Sequence, residues 1–347
     1  CAGSTKLVPR ASRSFDGADL LTTDLPGAGE FETVTLGATG IRVGAVGVGA
    51  WSWGDRWYWG YGRSYGINDV RGAFDESLRA GATLFDAAEL YGFGRSERIL
   101  GEFVRDASSR PAREATPIIA TKYLPVPWRP RTRKNLLRAL RRSLGRLGFD
   151  EVDLYQVHWP VRPAMLDPWT DGLVAAFEAG LVRSVGVSNY NVEQMWRTGE
   201  ALAERGIPLA SNQVAYSLLD RGPELNGILD ACRELGVTLI AYSPLAEGLL
   251  TGKFRPGAGP SGYRGWRMRN LVHEVQPIVK ELRTVGAAHG GKTPGQVALR
   301  WLVEKGALPI PGAKNATQAE ENAGAMGWSM DVEEVARLEE VADHANR

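Results

Sequence analysis

Four polar residues in the first half of the chain, Asp86, Tyr91, Lys122 and His158, are of the types that can transfer a proton to a carbonyl oxygen. A tyrosine phenol has a pKa near ~10 and exchanges protons slowly at neutral pH. An ammonium group within hydrogen-bond reach favours the phenolate, so we expect Lys122 to lower the pKa of Tyr91. Asp86 would keep a buried Lys122 charged, and His158 could orient the carbonyl. The set predicts a general acid, Tyr91, that faces a polarised C=O group.

Two other interpretations of these residues compete with proton transfer. A base and nucleophile pair fits less well, because no Ser or Cys stands beside His158 at the predicted strand ends. The second alternative is structural: Asp86 and Lys122 would form a buried ion pair that fixes strand register, and Tyr91 and His158 would fill space. Reduction of a carbonyl also needs a hydride, which no side chain supplies, so the catalytic interpretation requires a cofactor.

Eight short apolar segments alternate with longer amphipathic ones and predict the framework that carries these residues. Each segment is rich in Val, Ile, Leu and Ala, as expected of strands buried on both faces in a parallel sheet. The predicted strands are residues 43–48, 83–85, 118–121, 152–157, 182–187, 210–214, 238–241 and 307–310. Helical patterns lie between them, for example at 224–235, and several end at a glycine such as Gly148 or Gly236, where a positive φ is needed.

This alternation in one chain favours a single (β/α)8 barrel, an α/β fold, over two doubly wound domains. A doubly wound nucleotide-binding sheet needs a Gly-x-Gly-x-x-Gly turn after its first strand. Here Gly47, Gly49 and Gly54 have a different spacing and are followed by aromatic residues. In a (β/α)8 barrel the active site lies at the C-terminal ends of the strands, where successive strands would bring the four polar residues together.

The composition limits the classes of protein to which the chain can belong. Its 347 residues are 44% hydrophobic, which suits one large barrel with a sizeable core. The 41 basic and 40 acidic residues leave a net charge of +1, which argues against nucleic-acid binding because that requires a basic surface. No apolar run approaches the roughly 18 residues of a transmembrane segment, so none is predicted. Two cysteines, Cys1 and Cys232, and four separated histidines predict neither a disulfide framework nor a metal site.

The beginning of the chain differs from the rest. Residues 1–14 carry Lys6, Arg10 and Arg13 but no acidic residue, among Ser, Thr and Ala. This composition suits either a transit-peptide remnant or a flexible arm. We therefore divide the chain into an N-terminal arm at 1–31 and a barrel domain at 32–347.

From about residue 34 to residue 342 the chain resembles the aldo-keto reductases. The four polar residues match the catalytic tetrad of that family in order and in context. The segments GAWSWGD at 49–55, LVRSVGVSNY at 181–190 and GAMGW at 324–328 resemble a plant and algal branch of chloroplast oxidoreductases that includes pyridoxal reductase. The resemblance implies a (β/α)8 barrel that binds NADPH and passes hydride directly to an aldehyde or ketone (EC 1.1.1 class). It also implies a chloroplast location, stromal or thylakoid-associated, with the cytoplasm as the alternative.

The same resemblance implies which residues bind the cofactor. Those matching contacts to the nicotinamide are Ser188, Asn189, Gln213 and Tyr242, whose ring would stack on it. Those matching contacts to the pyrophosphate are Ser243, Leu245, Gly248 and Lys253. Those matching the adenosine end are Gly312, Lys314, Gln318, Glu321 and Asn322. A helix that begins near Asn315 would offer backbone N–H groups to an anion there, with Lys314 as the charge.

Two positions depart from the family pattern. Ala87 stands where many members have Thr after the catalytic Asp, a change expected to alter the neighbouring packing and not the chemistry. Gln318 stands where several members carry an Arg for the 2′-phosphate. Selection of NADPH over NADH therefore depends on Lys314. NADPH remains the expected cofactor, and NADH is the less suitable one.

Aromatic residues crowd the loops that follow the predicted strands. They predict a pocket for flat or apolar carbonyl compounds, so the expected partner is a small-molecule carbonyl substrate; no oligomeric state is predicted. The residues assigned to this pocket are Trp51, Trp53, Trp57, Tyr123 and Trp159. For each of them the alternative is packing at the barrel rim.

Two further alternatives concern mobility and function. The glycine-rich, basic segment 255–269 suits a lid over the pyrophosphate or an ordinary solvated insertion. A non-enzymatic alternative for the whole chain is an accessory subunit that senses NADP(H) with little turnover.

Overall fold

Runs of β-branched residues form a parallel barrel in the computed structural model, which describes residues 31–108, 115–126, 132–160, 166–260 and 262–345. Two hairpin strands, β1 (Thr33–Thr35) and β2 (Arg42–Gly44), precede the barrel strands β3 (Val48–Gly49), β4 (Leu84–Asp86), β5 (Ile118–Tyr123), β6 (Val152–Val157), β7 (Val182–Ser188), β8 (Leu209–Ala215), β9 (Thr238–Tyr242) and β10 (Leu308–Pro309). The barrel strands pair in chain order. The N–H groups of Gly47 and Gly49 donate to the carbonyl groups of Pro309 and Pro311 at 2.9 and 3.0 Å, which closes the barrel. The predicted (β/α)8 barrel is confirmed.

Helices alternate with the strands and cover the outside of the barrel. They are α1 (Ile67–Arg79), α2 (Arg95–Ser108), α3 (Arg133–Leu147), α4 (Asp167–Glu178), α5 (Val192–Ala203), α6 (Gly222–Leu225), α7 (Ile228–Leu235), α8 (Gly262–Met268), α9 (Leu271–Glu274), α10 (Gln276–Ala288), α11 (Pro294–Glu304), α12 (Ala316–Ala323) and α13 (Val332–Ala345). Thr132, Asn191 and Thr293 cap three of them by accepting a hydrogen bond from a first-turn N–H group. Gly148 and Gly236 end α3 and α7 with φ of 77° and 62°, as their positions predicted.

The predicted strand 43–48 is wrong, because this apolar run serves two elements. Its first residues belong to β2, which pairs antiparallel with β1, and only Val48 belongs to the barrel strand β3. Leu36, Ile41 and Val43 of the hairpin region are buried against the lower barrel interior, which includes Leu84, Ile118, Leu154 and Ile240. The hairpin therefore closes the barrel end opposite the strand C-termini. The periodicity of one short apolar run does not separate these two environments.

The predicted helix 224–235 is also wrong as a single element. It is divided into α6 and α7 at Gly227, whose φ of 77° interrupts the helical backbone. Helices α8, α9, α10 and α13 were not among the predicted elements. The predicted arm at 1–31 lies outside the described residues except for Phe31, whose ring lies against Gly81. None of the helices in the described ranges combines the length and the apolar character needed to cross a bilayer.

A buried ion pair connects the hairpin to the far end of the chain. The Arg300 guanidinium of α11 donates to both carboxylate oxygens of Glu32 at 2.8 and 2.9 Å, and Glu32 also accepts from the N–H of Gly327 at 2.8 Å. Both side chains are almost completely buried, at 3% and 0% exposure. Removal of one partner leaves a buried charge with less compensation, which is costly.

We predict that Glu32→Ala lowers the free energy of unfolding by about 3 kcal/mol, because Arg300 then remains buried without its main counter-charge. Urea unfolding followed by circular dichroism measures the loss. The double variant Glu32→Leu/Arg300→Met is the control, since it replaces both charges by apolar groups. It should recover only part of the loss, because the Gly327 N–H and Glu304, which pairs with Arg300 at 2.7 Å, lose these contacts. Equal destabilisation in the single and double variants would contradict the ion-pair explanation.

Candidate active site

The four polar residues meet at the C-terminal end of the barrel. Asp86 ends β4, Lys122 lies near the end of β5, and His158 follows β6. Tyr91 begins the short 3₁₀ turn Tyr91–Gly94 after β4. Because parallel strands of a barrel all end on the same side, residues far apart in the chain share one small volume.

Lys122 is the centre of this cluster. Its ammonium donates to Asp86 Oδ2, to the carbonyl of Ala87 at 3.0 Å and to Tyr91 Oη at 3.3 Å, and the side chain is completely buried. Burial disfavours the charged form, but the nearby Asp86 and Tyr91 more than compensate, so the pKa of Lys122 lies above its ordinary value. Lys122 is therefore a permanent buried cation within hydrogen-bond reach of the phenol.

Lys122 acts on the pKa of Tyr91 in the expected direction, but the pKa as a whole is raised and not lowered. Burial raises the pKa of the Tyr91 phenol, Lys122 opposes the rise, and Asp86 adds to it. Burial dominates because a phenolate in this site would lose most of its hydration. Tyr91 is thus protonated at neutral pH. Lys122 would lower the free energy of a phenolate at this position.

His158 stands across from Tyr91, with the two ring centroids 5.9 Å apart in an edge-on arrangement. Burial, together with the charge of Lys122, lowers the pKa of His158 to about 3. The imidazole is therefore neutral at physiological pH. A neutral imidazole carries one N–H donor, which suits a hydrogen bond to a carbonyl oxygen.

A groove of about 1330 Å³ opens over the barrel mouth and reaches Asp86, Tyr91 and His158. Lys122 is completely buried and is not among the residues that line the groove. Every residue that the family resemblance assigned to the cofactor lines this groove: Ser188, Asn189, Gln213, Tyr242, Ser243, Leu245, Gly248, Lys253, Gly312, Lys314, Gln318, Glu321 and Asn322. The structure thus brings these residues, from the ends of β7, β8 and β9, from the loops after β7, β9 and β10, and from α12, into one continuous space.

Amide and hydroxyl groups form a connected network at the barrel end of the groove. Ser188 Oγ donates to the carbonyl of Gln213 at 2.8 Å, and Asn189 Nδ2 donates to Ser188 Oγ at 3.0 Å. Tyr242 Oη donates to Asn189 Oδ1 at 3.1 Å, while Asn189 adopts a positive φ of 61°. These contacts fix the orientation of the amides that face the groove.

Cations gather at the other end of the groove. Burial and then repulsion by Arg264 and Lys253 lower the pKa of Lys314 to about 8. Burial and Arg264 likewise lower the pKa of Lys253. Lys314 and Arg264 both lie over the ring of Trp59, at 4.8 and 4.6 Å from its centroid. Crowded, partly buried cations whose pKa values are depressed are well placed to bind an anion.

The structure brings three of the five residues predicted for the aromatic pocket to the groove and buries the other two in the core. Trp51, Trp57 and Trp159 line the groove with exposures of 39%, 88% and 46%. Trp53 is completely buried: its Nε1 donates to the carbonyl of Ala313 at 2.8 Å, and its ring packs near Phe85 and Phe103. Tyr123 is also completely buried and packs near Trp169 at a ring distance of 5.5 Å. The two latter residues therefore belong to the core.

The basic segment 255–269 contributes to the groove through α8. Arg264 lines the groove and donates to the carbonyl of Glu247 at 2.8 Å. Arg267 pairs with the Glu247 carboxylate and donates to Tyr58 Oη at 2.6 Å. Tyr263 remains largely exposed, with 66% of its surface accessible. The segment is thus anchored over the groove on one face and solvated on the other.

Two residues of the site were missed from the sequence. Gln156 donates to Asp86 from the interior of β6; its signal is a lone amide two positions before His158 in an otherwise apolar strand. Arg264 had only the basic composition of its segment as a signal. Across the described residues, no group of three or more His, Cys, Asp or Glu side chains could hold a metal ion.

The family model described as the aldo/keto reductase family matches residues 45–343 of this chain. The chain belongs to the aldo/keto reductase family. This aldo/keto reductase is therefore an oxidoreductase, as the resemblance of its four polar residues implied.

Several relatives span nearly the whole reductase. The chloroplastic pyridoxal reductase of Arabidopsis thaliana is 40% identical over 312 residues, which cover 87% of this chain and 84% of that protein. The structure of the glycerol dehydrogenase AKR11B4 from Gluconobacter oxydans is similar with a TM-score of 0.77 at 25% identity, covering 91% of this chain and 96% of that one. An aldo/keto reductase from Klebsiella pneumoniae, solved in complex with NADP and acetate, has a TM-score of 0.68 at 25% identity, covering 89% and 94%.

We predict that His158 makes the reductase less stable as the pH falls below its ordinary pKa. Unfolded His158 binds a proton below pH 6.5, whereas folded His158 does so only near pH 3, so acidification favours the unfolded state between these values. Between about pH 7.5 and about pH 5, the wild type should lose up to about 2 kcal/mol more unfolding free energy than His158→Gln. Urea unfolding at the two pH values measures this difference. Identical losses in both proteins would contradict a buried, neutral His158.

Proposed function

We propose that this aldo/keto reductase reduces aldehydes or ketones to alcohols with NADPH, in the EC 1.1.1 class, and that Tyr91 is the general acid. The hydrogen bond between Tyr91 Oη and the buried ammonium of Lys122 carries the proposal, because it lies at the edge of the groove beside a neutral His158. A buried structural ion pair alone would not explain a protonated phenol that faces the groove.

The groove fits a dinucleotide with phosphate groups. Its volume of about 1330 Å³ exceeds the usual ~300–1,000 Å³ of a small-ligand pocket. The pKa values of Lys253 and Lys314 are lowered by burial and by the nearby charge of Arg264. An anion bound among these three cations would reduce their mutual repulsion. Ser52 Oγ, which lines the groove, is buried without a hydrogen-bond partner among the described residues. When bound, NADPH supplies the hydride for the reaction.

We assign the parts of the groove by their chemistry. Ser188, Asn189 and Gln213 would hold the nicotinamide carboxamide, since their amide and hydroxyl groups offer donors and acceptors in fixed positions. The Tyr242 ring would stack on the nicotinamide. The residues proposed for the pyrophosphate are Ser243, Leu245, Gly248, Lys253 and Arg264, and those for the adenosine end are Gly312, Lys314, Gln318, Glu321 and Asn322.

Selectivity for NADPH depends on Lys314 in this proposal. The Gln318 side chain accepts a hydrogen bond from the backbone N–H of Lys314 at 2.9 Å and so stabilises the turn into α12. Gln318 carries no charge, so Lys314 is the cation available for the 2′-phosphate at this end of the groove. Asn315 caps α12, whose first N–H groups add a partial positive charge.

The protein residues divide the acid catalysis among them. Tyr91 donates its proton to the carbonyl oxygen of the substrate as that oxygen gains negative charge, and Lys122 stabilises the resulting phenolate. Asp86 keeps Lys122 charged within the barrel. His158 donates its N–H to the same carbonyl oxygen and orients it. Solvent then restores the proton on Tyr91.

The aromatic rim suits a flat carbonyl substrate. Trp51 stacks on Tyr58 at 5.3 Å and lies 6.2 Å from the Tyr91 ring, which forms a flat wall beside the phenol. Trp57 and Trp159 extend this wall toward solvent. Pyridoxal, an aromatic aldehyde, is the first substrate to test because a relative is a pyridoxal reductase. The same relative supports a chloroplast location for this reductase.

We predict that Tyr91→Phe lowers kcat for aldehyde reduction by about 10³-fold, because it removes the proton donor. NADPH affinity should change less than about 2-fold, since the phenol acts on the substrate in the transition state. Stopped-flow or steady-state oxidation of NADPH with pyridoxal measures the first effect, and quenching of tryptophan fluorescence measures the second. Equal turnover in the two proteins would contradict the assignment, and loss of NADPH binding together with turnover would contradict the assigned role.

We predict that Lys314→Ala weakens NADPH binding by about 10-fold or more and NADH binding by less than about 3-fold, because only NADPH has a 2′-phosphate. In the wild type, NADPH affinity should fall as the pH rises above about 8, where Lys314 of the free enzyme loses its charge. Fluorescence titration with both cofactors measures these effects. Lys253→Ala is the matched control and should weaken both cofactors equally. If Lys314→Ala weakened NADPH and NADH binding equally, Lys314 would not contact the 2′-phosphate.

A further inference from the structure

Three side chains hold the carboxylate of Asp86, and only one of them, Lys122, belongs to the four residues discussed above. Lys122 donates to Oδ2, whereas Gln156 Nε2 and Gln213 Nε2 donate to Oδ1 at 3.2 and 3.0 Å. Asp86 is 1% exposed and Gln156 is completely buried. Both oxygens of this buried carboxylate therefore have donors.

The orientation of Asp86 determines where the Lys122 ammonium lies. The three N–H groups of Lys122 point to Asp86, to the carbonyl of Ala87 and to Tyr91 Oη. Rotation of the Asp86 carboxylate would remove the acceptor that holds the ammonium and would shift Nζ relative to the phenol. Donors on Oδ1 oppose this rotation without contact to any reacting atom.

The two glutamines that bind Oδ1 are not equivalent. Gln213 lines the groove and is a proposed contact of the nicotinamide, so its amide has a second task when the cofactor binds. Gln156 does not line the groove, and its Oε1 accepts a hydrogen bond from Ser211 Oγ at 3.3 Å, which sets the orientation of its amide. The same Oε1 accepts from Gln213 Nε2 at 3.5 Å, so two neighbours orient the Gln156 amide, and its Nε2 donates to Asp86 from inside the barrel.

We propose that Gln156 is a positioning residue for proton transfer: it fixes the ionised carboxylate of Asp86, and through it the contact of Lys122 with Tyr91. This role rests on the proposed function of Tyr91. A hydrogen bond to a charged acceptor is stronger than one between neutral groups, so this amide contributes more than an ordinary buried polar side chain.

Two variants of similar size test the proposal. Gln156→Met removes the donor, and Gln156→Glu replaces it with a second carboxylate that faces Asp86. For pyridoxal reduction at neutral pH we expect kcat to fall by about 10-fold in Gln156→Met and by about 100-fold in Gln156→Glu, with KM unchanged.

Ser184→Ala is the matched control. Its hydroxyl is equally buried in the next strand, β7, and donates to the carbonyl of Asp153 at 2.6 Å, away from Asp86. This variant should lower the urea midpoint but leave kcat and KM within about 2-fold of the wild-type values. Equal kcat values for the Met and Glu variants, or a kcat of Gln156→Met within about 2-fold of the wild-type value, would assign Gln156 to space filling alone and overturn the proposal.

A double-mutant cycle gives a readout that does not depend on turnover. Gln156→Met should lower the urea midpoint about twice as much in the wild type as in Asp86→Asn, because the neutral amide of the latter is a weaker acceptor. Equal losses in the two backgrounds would overturn the positioning role. A wild type that reduces no carbonyl compound would overturn the proposed function instead, and the cycle would still decide the role of Gln156.

Discussion

The buried ammonium of Lys122 is the constraint on which the rest of the site depends. A cation without access to water is tolerated in a protein interior only when charges and acceptors surround it. Here a carboxylate, a backbone carbonyl and a phenol oxygen take its three N–H groups. The barrel supplies these acceptors from β4, from the residue after it and from the turn that carries Tyr91. Loss of Asp86 would leave this charge without its counter-ion, so the position of Lys122 beside Tyr91 is linked to the stability of the fold.

The barrel provides this geometry through a division between its two ends. The lower end is apolar and is filled by the hairpin of β1 and β2 with Leu84, Ile118 and Leu154. The upper end holds buried polar residues that satisfy one another, such as Gln156, Ser211 and Asp86. A rigid apolar base allows a polar network above it to remain in one arrangement, which acid catalysis requires. The hairpin thus contributes to function without proximity to the groove.

The alternation of apolar and amphipathic segments was sufficient to predict the barrel. Residue type and position at a strand end were sufficient to predict that Tyr91 and Lys122 meet. They were not sufficient where orientation decides the outcome. Trp51 and Trp53 stand two positions apart in one loop, yet the 3₁₀ turn Ala50–Ser52 leaves the first 39% exposed and buries the second completely. The pKa of Tyr91 was predicted in the wrong direction for a related reason. The positive charge of Lys122 is known from the sequence, whereas the burial of Tyr91 is a property of the assembled barrel.

The two ends of the groove differ in how their charged side chains are compensated. At the barrel end Lys122 and Asp86 form a buried ion pair and neutralise each other inside the protein. At the other end burial, and then repulsion by Arg264, lowers the pKa values of both Lys253 and Lys314, and Lys253 adds to the effect on Lys314. An anion bound beside these lysines would oppose both effects and favour their charged forms. A negatively charged ligand is therefore favoured at this end of the groove, whereas Lys122 and Asp86 already neutralise each other at the barrel end.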